Sequence, residues 1–350
     1  MRKLDKERVQ VRTGAEVVSL VYRAHAQDQQ QEGTNTTTTT PAVVTGVMLA
    51  DGEVLSADLV VLATGAWTGK LVDLRGRAVA TGQVLTYMDI TEDEQEVLGK
   101  RPVVMSHTSG LYVIPPRNRL LKIARHGFGY RNPVPINNPS PGATSERMIE
   151  VSVPKVGISV PAEGYEACHK ALESILPGLE KREFSRSRVC WYTDTQVGDF
   201  LIDYHPQYSG LFLATGGSGH GYKFLPVIGE KIVDAMEGIL VEELREIWQY
   251  PKDAVGQDRF AWEELLDGSR GVGNTPGMTL EEELKRVVAL AQRGPEVAAQ
   301  DELSRYGGRS WAKLNGGTPY GSSIVKFFNA AREEGPDIPT DAGIRRDFMQ

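Results

Sequence analysis

The chain is long enough for two folded domains, since it has 350 residues, of which 40% are hydrophobic and 24% are charged. Its formal net charge of −7 argues against a broad phosphate-binding surface, so no nucleic-acid partner is expected. No apolar stretch approaches the roughly 20 residues of a membrane span, and the first residues lack the apolar core of a signal peptide. We therefore expect an intracellular, cytoplasmic protein without a membrane partner.

The amino-terminal part of the chain has the pattern of β structure. Short apolar runs at Val17–Val21, Val43–Leu49 and Glu53–Leu55 predict strands, and Asp51-Gly52 between the last two is a strong hairpin signal. The polar, threonine-rich segment Ala26–Pro41 is interpreted as the tip of a hairpin. Next, Ala57–Trp67 is an apolar run that ends in glycine, which is typical of a strand buried on both faces of a parallel sheet.

Strand patterns dominate the middle of the chain, and helical patterns follow. Four prolines within Pro133–Pro141 predict an extended loop. The predicted strands are Gln83–Ile90, Val103–Met105, Leu111–Ile114, Arg119–Ile123, Ser185–Thr193 and Gly210–Ala214, and the predicted helices are Tyr165–Ile175, Ile228–Leu240, Val241–Trp248 and Leu280–Gln292. The order indicates a parallel sheet that the chain leaves early, an antiparallel excursion, and a return to the first sheet near residue 205.

The strongest local signal is a pair of strands that each run into Ala-Thr-Gly, at Leu59–Gly65 and Leu211–Gly216. Open α/β sheets bind ligands at the carboxyl ends of their strands, and glycine lets a ligand approach the backbone closely. The second strand leads into the glycine-rich segment 216–221 and a helix start near Tyr222. Together the two segments favour a crevice for a nucleotide or another cofactor.

Two lysines could carry chemistry, and each also has a plain structural explanation. Lys223 at the helix start opposes the helix dipole unless an anion lies nearby, although it could be a solvated surface residue. Lys122 and His126 fall on one face of a predicted strand, where they could line a pocket or form the wet face of an edge strand. His220, between two glycines, could be a turn residue or a site residue. No group of residues has the spacing of a metal site.

Two cysteines do not make a disulfide framework, and neither lies in a CxxC pair. Cys168 falls in a stretch with a helical pattern, where a buried, unreactive thiol is expected. Cys190 opens a more specific pattern. It begins Cys190–Thr195 (CWYTDT), which is followed by Phe200–Pro206 (FLIDYHP) and by Gly217–Phe224 (GSGHGYKF).

In these three segments the chain resembles the sarcosine oxidase group of flavoenzymes, within the D-amino-acid oxidase superfamily. This group includes oxidases of sarcosine, pipecolate, saccharopine and fructosyl amino acids. The resemblance runs from about Gly14 to about Leu240. It implies a mixed α/β fold with a partial Rossmann-like FAD-binding domain, residues 1–75 and 186–250, and an antiparallel-sheet substrate domain, residues 76–185. Residues 251–350 would form a helical and poorly ordered tail.

The resemblance also implies roles for individual residues. Cys190 matches the cysteine that bonds covalently to FAD in this group, and Lys223 matches a lysine that helps to hold the substrate carboxylate. Lys122 and His126 match a Lys-x-x-x-His pattern whose lysine promotes the reaction with O₂, and Tyr112 falls where the group has an active-site tyrosine. The residues expected to contact FAD are Gly65, Trp67, Cys190, Gly219, His220, Gly221, Tyr222 and Lys223.

The activity implied is oxidation of the C–N bond of a secondary amine or an N-substituted amino acid, with O₂ as acceptor and an imine and H₂O₂ as products. The chain departs from the group at its start, because nothing before Gly14 can supply the Gly-x-Gly-x-x-Gly turn that holds the FAD pyrophosphate. Two alternatives therefore stay open: a non-catalytic remnant of such an enzyme, and a flavin dehydrogenase that uses another acceptor. Oxidases of this group can be peroxisomal, but the C-terminal residues here are not a Ser-Lys-Leu signal.

Overall fold

The computed structural model of the chain has a mixed α/β fold, as the sequence predicts, and describes residues 8–23, 42–107, 109–143, 146–158, 160–252 and 278–285. No helix in these ranges has both the length and the apolar character needed to cross a bilayer. The α-helices are Thr68–Leu71 (α1), Glu92–Leu98 (α2), Ala162–Ile175 (α3), Leu225–Met236 (α4) and Glu242–Trp248 (α5). The strands are Val17–Arg23 (β1), Ala42–Leu49 (β2), Val54–Ser56 (β3), Val60–Leu62 (β4), Ala78–Asp89 (β5), Val104–Met105 (β6), Leu111–Arg117 (β7), Leu120–Arg125 (β8), Pro133–Asn137 (β9), Met148–Ser152 (β10), Arg186–Thr195 (β11), Leu201–Tyr204 (β12), Tyr208–Ser209 (β13) and Leu211–Thr215 (β14).

The chain divides into two compact units. Unit 1 comprises Met1–Thr81, Asn132–Pro154 and Trp191–Asp267. Unit 2 comprises Gly82–Arg131, Lys155–Cys190 and Gly268–Gln350. Strands β5 and β11 each contain a boundary between the units, so each strand contributes residues to both.

In unit 1, strands β1, β2 and β3 form the antiparallel arrangement that the sequence predicts, and β13 pairs with β2 in parallel. The turn between β2 and β3 follows the Asp51-Gly52 signal. Gly52 has a positive φ of 89°, and its N–H donates to the carbonyl of Leu49 at 3.0 Å. The predicted hairpin is therefore confirmed. The segment Ala26–Pro41 lies outside the described residues.

A second sheet of unit 1 has the strand order β12-β14-β4. Strands β14 and β4 are parallel, with Leu211 opposite Val60 and Leu213 opposite Leu62, so the predicted return to the first sheet is confirmed. The expectation that Ala57–Trp67 is buried on both faces was wrong. Only three residues form β4, which lies at an edge of this sheet, and the side chain of Val61 is 41% exposed.

Apolar clusters cover both faces of this sheet. One cluster includes Val60, Leu62, Leu211 and Leu213, and it extends to residues of β1 and β2. The other includes Phe212 and Ile202, against which Ile228 and Ile232 of α4 pack. Helix α4 itself has no fully buried residue. The two faces alternate along each strand, as the period of two in a pleated sheet requires.

Pro133–Pro141 was expected to be an extended loop, and this prediction was wrong for Pro133–Asn137, which forms β9. Strands β9 and β10 form a two-stranded antiparallel ribbon, with Val134 opposite Val151 and Ile136 opposite Ile149. Pro133 and Pro135 are two positions apart, so both missing N–H groups lie on the same edge of β9. Each strand of a two-stranded ribbon has one edge that forms no hydrogen bonds to another strand. Prolines, which lack an N–H group, are tolerated on that edge but not in a central strand.

Unit 2 is built on a five-stranded sheet with the order β11-β5-β8-β7-β6, in which β5, β8, β7 and β6 are successively antiparallel. Helix α3 packs against β7 and β8 with an apolar stripe that includes Ala167, Cys168, Ala171 and Leu172. Burial raises the pKa of the Cys168 thiol to about 11. The predicted helix and the predicted burial of this thiol are both confirmed.

A buried ion pair joins the sheet of unit 2 to α3. The Arg125 guanidinium on β8 donates to both carboxylate oxygens of Glu163, at 2.6 and 2.7 Å, and both side chains are buried. The Tyr130 hydroxyl donates to the same carboxylate. A buried charge is tolerated only when its partners are complete, so this arrangement fixes how β8 meets the first turn of α3.

Gly164, which follows Glu163, lets α3 approach the sheet closely. A Cβ atom at this position would lie 2.5 Å from Cγ2 of Val84 and 3.0 Å from the Tyr130 hydroxyl. Val84 belongs to β5, so the helix and the sheet could not hold their present spacing with any side chain at residue 164. The glycine is therefore required by packing, not by a turn.

His205 belongs to an aromatic cluster of unit 1. Its ring stacks on Tyr208, with ring centroids 4.2 Å apart, and meets the edge of Tyr250 at 4.9 Å. Burial, and secondarily the positive charge of Arg77, lowers the pKa of His205 from 6.5 to about 4. The Nδ1 atom accepts a hydrogen bond from the Gln207 N–H at 3.2 Å, which requires the neutral ring.

We expect this histidine to make the protein less stable in acid. An unfolded histidine binds its proton below pH 6.5, whereas the folded one does so only below about 4. The contribution of His205 to the free energy of unfolding is therefore fully present above pH 6.5. It is lost progressively as the pH falls to about 4, by up to about 3 kcal/mol. Urea unfolding across this range should show a smaller loss in His205→Gln than in the wild type. Parallel curves for the two proteins would contradict the assignment.

Candidate functional site

The two Ala-Thr-Gly segments lie side by side in unit 1, as predicted. Because β4 and β14 are parallel, Gly65 and Gly216 follow their carboxyl ends at the same edge of the sheet. Both glycines have positive φ, 51° and 69°. A Cβ atom at Gly216 would lie 2.6 Å from Cγ2 of Thr195 and 2.9 Å from the backbone nitrogen of Leu201, so this turn admits no side chain.

Threonine hydroxyls link the two turns, and sequence reasoning missed them. The Thr68 hydroxyl is fully buried, donates to the carbonyl of Gly65 at 2.7 Å, and lies 3.1 Å from the Thr215 hydroxyl. Thr68 also lies 2.9 Å from the Thr64 hydroxyl. This network holds both glycine turns in one arrangement. Thr64 and Thr215 belong to the two Ala-Thr-Gly motifs, but no local pattern indicates that Thr68 contacts them. Thr68 lies 147 positions before Thr215 in the chain.

The loop after Gly216 is held by Ser218. This buried residue has a φ of 45°, which is unusual for a residue with a side chain. The Ser218 N–H donates to the carbonyl of Thr193 at 2.9 Å, and the Thr195 N–H donates to the Ser218 hydroxyl at 3.2 Å. These bonds attach the loop to the end of β11. A Cβ atom at Gly217 would meet nothing within 4 Å, so the backbone is open to a ligand at that point.

The ring of His220 is held in one orientation. Its Nε2 atom lies 2.8 Å from the carbonyl of Gly198, and its ring stacks on Phe200 with centroids 5.1 Å apart. A carbonyl oxygen can only accept, so Nε2–H is the donor of this hydrogen bond. Gly219, before it, has a positive φ of 74°. His220 is therefore an ordered residue of the loop, and its contact with FAD stays a prediction.

Lys223 does not lie in the first turn of an α-helix, as the sequence suggested. It lies in a 3-10 turn, Gly221–Phe224, that precedes α4. The ammonium group is exposed and lies 5.2 Å from the ring of Phe224. Tyr222 is 85% exposed, and Trp67 is also exposed. The structure gives these three residues accessible positions in unit 1, and their roles toward cofactor and substrate stay predictions.

In unit 2, the structure brings Lys122 and Tyr112 together. They lie on the neighbouring strands β8 and β7, where Tyr112 is opposite Ala124 and Lys122 is opposite Ile114, so all four side chains share one face of the sheet. We call this the Lys122 face. It is opposite to the face on which Arg125 meets α3. The Lys122 ammonium lies 5.8 Å from the centre of the Tyr112 ring.

Cys190 and Arg188 act electrostatically on Lys122. Burial lowers the pKa of the half-buried Lys122 ammonium, the negative charge of an ionised Cys190 raises it, and the positive charge of Arg188 lowers it. Cys190 is half-buried on β11 and is a free thiol. Arg188 stands two positions before it, so both side chains leave the same face of that strand. Arg188 was not singled out from the sequence, although its spacing from Cys190 is a signal that could have found it.

His126 lies one residue beyond the end of β8. Its N–H donates to the carbonyl of Gly110 at 2.7 Å, and its side chain is half-buried. Because the last pair of β7 and β8 is Leu111 with Arg125, this hydrogen bond continues the pairing by one residue. A role for His126 in the site stays a prediction.

Paired glycine turns at the carboxyl ends of parallel strands are typical of α/β proteins that bind a dinucleotide cofactor. The chain belongs to the FAD dependent oxidoreductase family, whose model matches residues 1–235. This membership confirms the resemblance inferred from the sequence.

The similar proteins are oxidases. The chain is 31% identical to an L-saccharopine oxidase of Schizosaccharomyces pombe over 59% of its length and 47% of that protein. It is 32% identical to an amino acid oxidase of Aspergillus flavus, over 59% of this chain and 51% of that one. Among solved structures, the fructosamine oxidase of Aspergillus fumigatus (Amadoriase II) matches with a TM-score of 0.60 and 28% identity, over 76% of this chain and 57% of that one. The chain thus spans about half the length of the curated relatives it matches.

Proposed function

We propose that this chain is part of an FAD-dependent oxidase that acts on the C–N bond of a secondary amine or an N-substituted amino acid, with O₂ as acceptor. The observation that carries the proposal is the position of Lys122. It is a half-buried cation on the same sheet as the free thiol of Cys190, in a chain of the FAD dependent oxidoreductase family. The similar proteins are named for saccharopine, an amino acid and fructosamine, which supports an amine-bearing substrate class.

The residues of unit 1 fit a flavin dinucleotide. The open backbone at Gly217 and the positive φ of Gly65 leave main-chain groups accessible, and the threonine hydroxyl network keeps both turns rigid. When bound, FAD would supply the redox chemistry: the substrate C–N group would lose two electrons and two protons to become an imine, and O₂ would gain two electrons and two protons to become H₂O₂. The exposed Lys223 is suited to binding the substrate carboxylate, which is the role expected from the sequence.

Lys122 carries the kind of charge that the reaction with oxygen needs. Transfer of an electron to O₂ creates an anion, and a fixed cation in a partly desolvated position stabilises that anion more strongly than water does. Within the described part of the chain, no carboxylate contributes to the pKa of Lys122. This arrangement favours an oxidase over a dehydrogenase.

We propose that Cys190 forms a thioether with the 8α-methyl carbon of FAD. The S–H bond and one C–H bond of that methyl group would break, and the two electrons released would reduce the flavin, which O₂ would then reoxidise. The two cysteines of the chain allow a matched test. FAD-loaded protein should keep flavin absorbance after denaturation and removal of free cofactor. Cys190→Ser should lose it, whereas Cys168→Ser, which changes the buried thiol of α3, should retain it. Flavin that stays attached in Cys190→Ser, or that is released from the wild type, would contradict the tether.

A further inference from the structure

Lys122 has an unusual set of neighbours for a half-buried ammonium. Buried lysines are normally paired with a carboxylate, because an isolated charge is costly to remove from water. Here burial lowers the Lys122 pKa and the nearby Arg188 guanidinium lowers it further. The Tyr112 ring, whose centre lies 5.8 Å from the ammonium, and the negative charge of an ionised Cys190 oppose these two effects.

The sheet register explains why Tyr112 reaches Lys122. Tyr112 is opposite Ala124, which is two positions beyond Lys122 on β8, so the two residues are diagonal neighbours on the Lys122 face. Aromatic and long side chains on antiparallel strands interact across such a diagonal. The small side chain of Ala124 leaves the space between them open. The resulting distance of 5.8 Å is within the range of a cation–π contact.

We propose that Tyr112 is a positioning residue that acts through its ring, by holding the protonated amine of Lys122 on the sheet face that also carries Ile114. The tyrosine hydroxyl has no part in this role. The inference rests on the proposed function only for its meaning in the oxygen reaction. The contact itself is between two residues of unit 2.

Competitive labelling of lysines in the cofactor-free chain tests the proposal. A trace of acetic anhydride reacts with the free amine, and mass spectrometry of a digest gives the rate at each lysine. Lys100 is the internal reference, because it lies in the same unit and its side chain is 74% exposed. Tyr112→Phe keeps the ring and removes the hydroxyl, whereas Tyr112→Leu removes the ring.

In Tyr112→Leu we expect Lys122 to react about fivefold faster relative to Lys100, because loss of the ring favours the free amine. Repeating the labelling across pH should show Lys122 titrating about 0.7 pH unit lower in this variant, which corresponds to the same fivefold change. Tyr112→Phe should match the wild type in both measurements. Thermal melting of each variant checks that it is folded, and Tyr112→Met serves as a second variant without a ring.

Two results would overturn the proposal. If Phe and Leu at residue 112 change the Lys122 titration equally, the hydroxyl and not the ring is responsible. If neither variant moves it, Tyr112 does not hold the ammonium group. Both readouts are independent of flavin, so they can fail while the oxidase assignment stands, and the oxidase assignment can fail while they succeed.

Discussion

In FAD-loaded protein, Lys122→Met is expected to slow the reaction of the reduced enzyme with O₂ by about 10²–10³-fold, the usual effect of removing one preorganised electrostatic group. Methionine keeps the length of the side chain and removes its charge. Anaerobic reduction by an amine substrate should change by less than about threefold, since the charge is needed only when electrons reach oxygen. Stopped-flow absorbance measures the two half-reactions separately.

The control is Lys100→Met, which removes an exposed lysine of the same unit and should leave both half-reactions unchanged. Equal losses in the two half-reactions of Lys122→Met would show that Lys122 serves substrate binding or the fold instead. A loss confined to substrate reduction would remove the basis for assigning O₂ as the acceptor.

Glu163→Gln should lower the free energy of unfolding by about 3–5 kcal/mol, because it leaves the Arg125 guanidinium buried without a counter-charge. The same change at Glu96, whose ion pair with Lys100 is exposed, should cost less than about 1 kcal/mol. Urea unfolding of the three proteins gives the comparison.

The double replacement Arg125→Met with Glu163→Met separates two causes of this loss. If the single variant suffers from an unpaired buried charge, removing both charges should recover most of the stability. If the double variant is as unstable as the single one, the pair contributes net stability of its own. A loss of less than about 1 kcal/mol in Glu163→Gln would show that water or another group reaches Arg125.

The sequence predicts local structure well where one period or one motif dominates. The Asp51-Gly52 hairpin and the positions of the two Ala-Thr-Gly strands were predicted correctly, since adjacent residues determine a turn or an apolar run. The burial of Ala57–Trp67 on both faces was not, because it depends on which elements pack against the strand. The prediction failed for Pro133–Pro141 because prolines rule out a central strand but are compatible with a strand at the free edge of a ribbon. Whether an edge is free depends on which strands are neighbours, and that is decided by the whole chain.

The sequence identified several residues of the candidate site, but it did not predict which of them are in contact. Tyr112 and Lys122 were both singled out, but their contact depends on the register of β7 and β8, which strand patterns alone do not give. Thr68 and Arg125 were missed as partners for the same reason. Their hydrogen-bonding partners, Thr215 and Glu163, stand 147 and 38 positions away along the chain.

Gly164 limits how this protein can diverge. A single methyl group there would contact both Val84 and the Tyr130 hydroxyl at less than ordinary van der Waals separation. Such a change would push the first turn of α3 outward and so lengthen the bonds between Glu163 and Arg125. A larger residue at position 164 therefore becomes acceptable only after Val84, on the strand beneath it, has been replaced by a smaller residue.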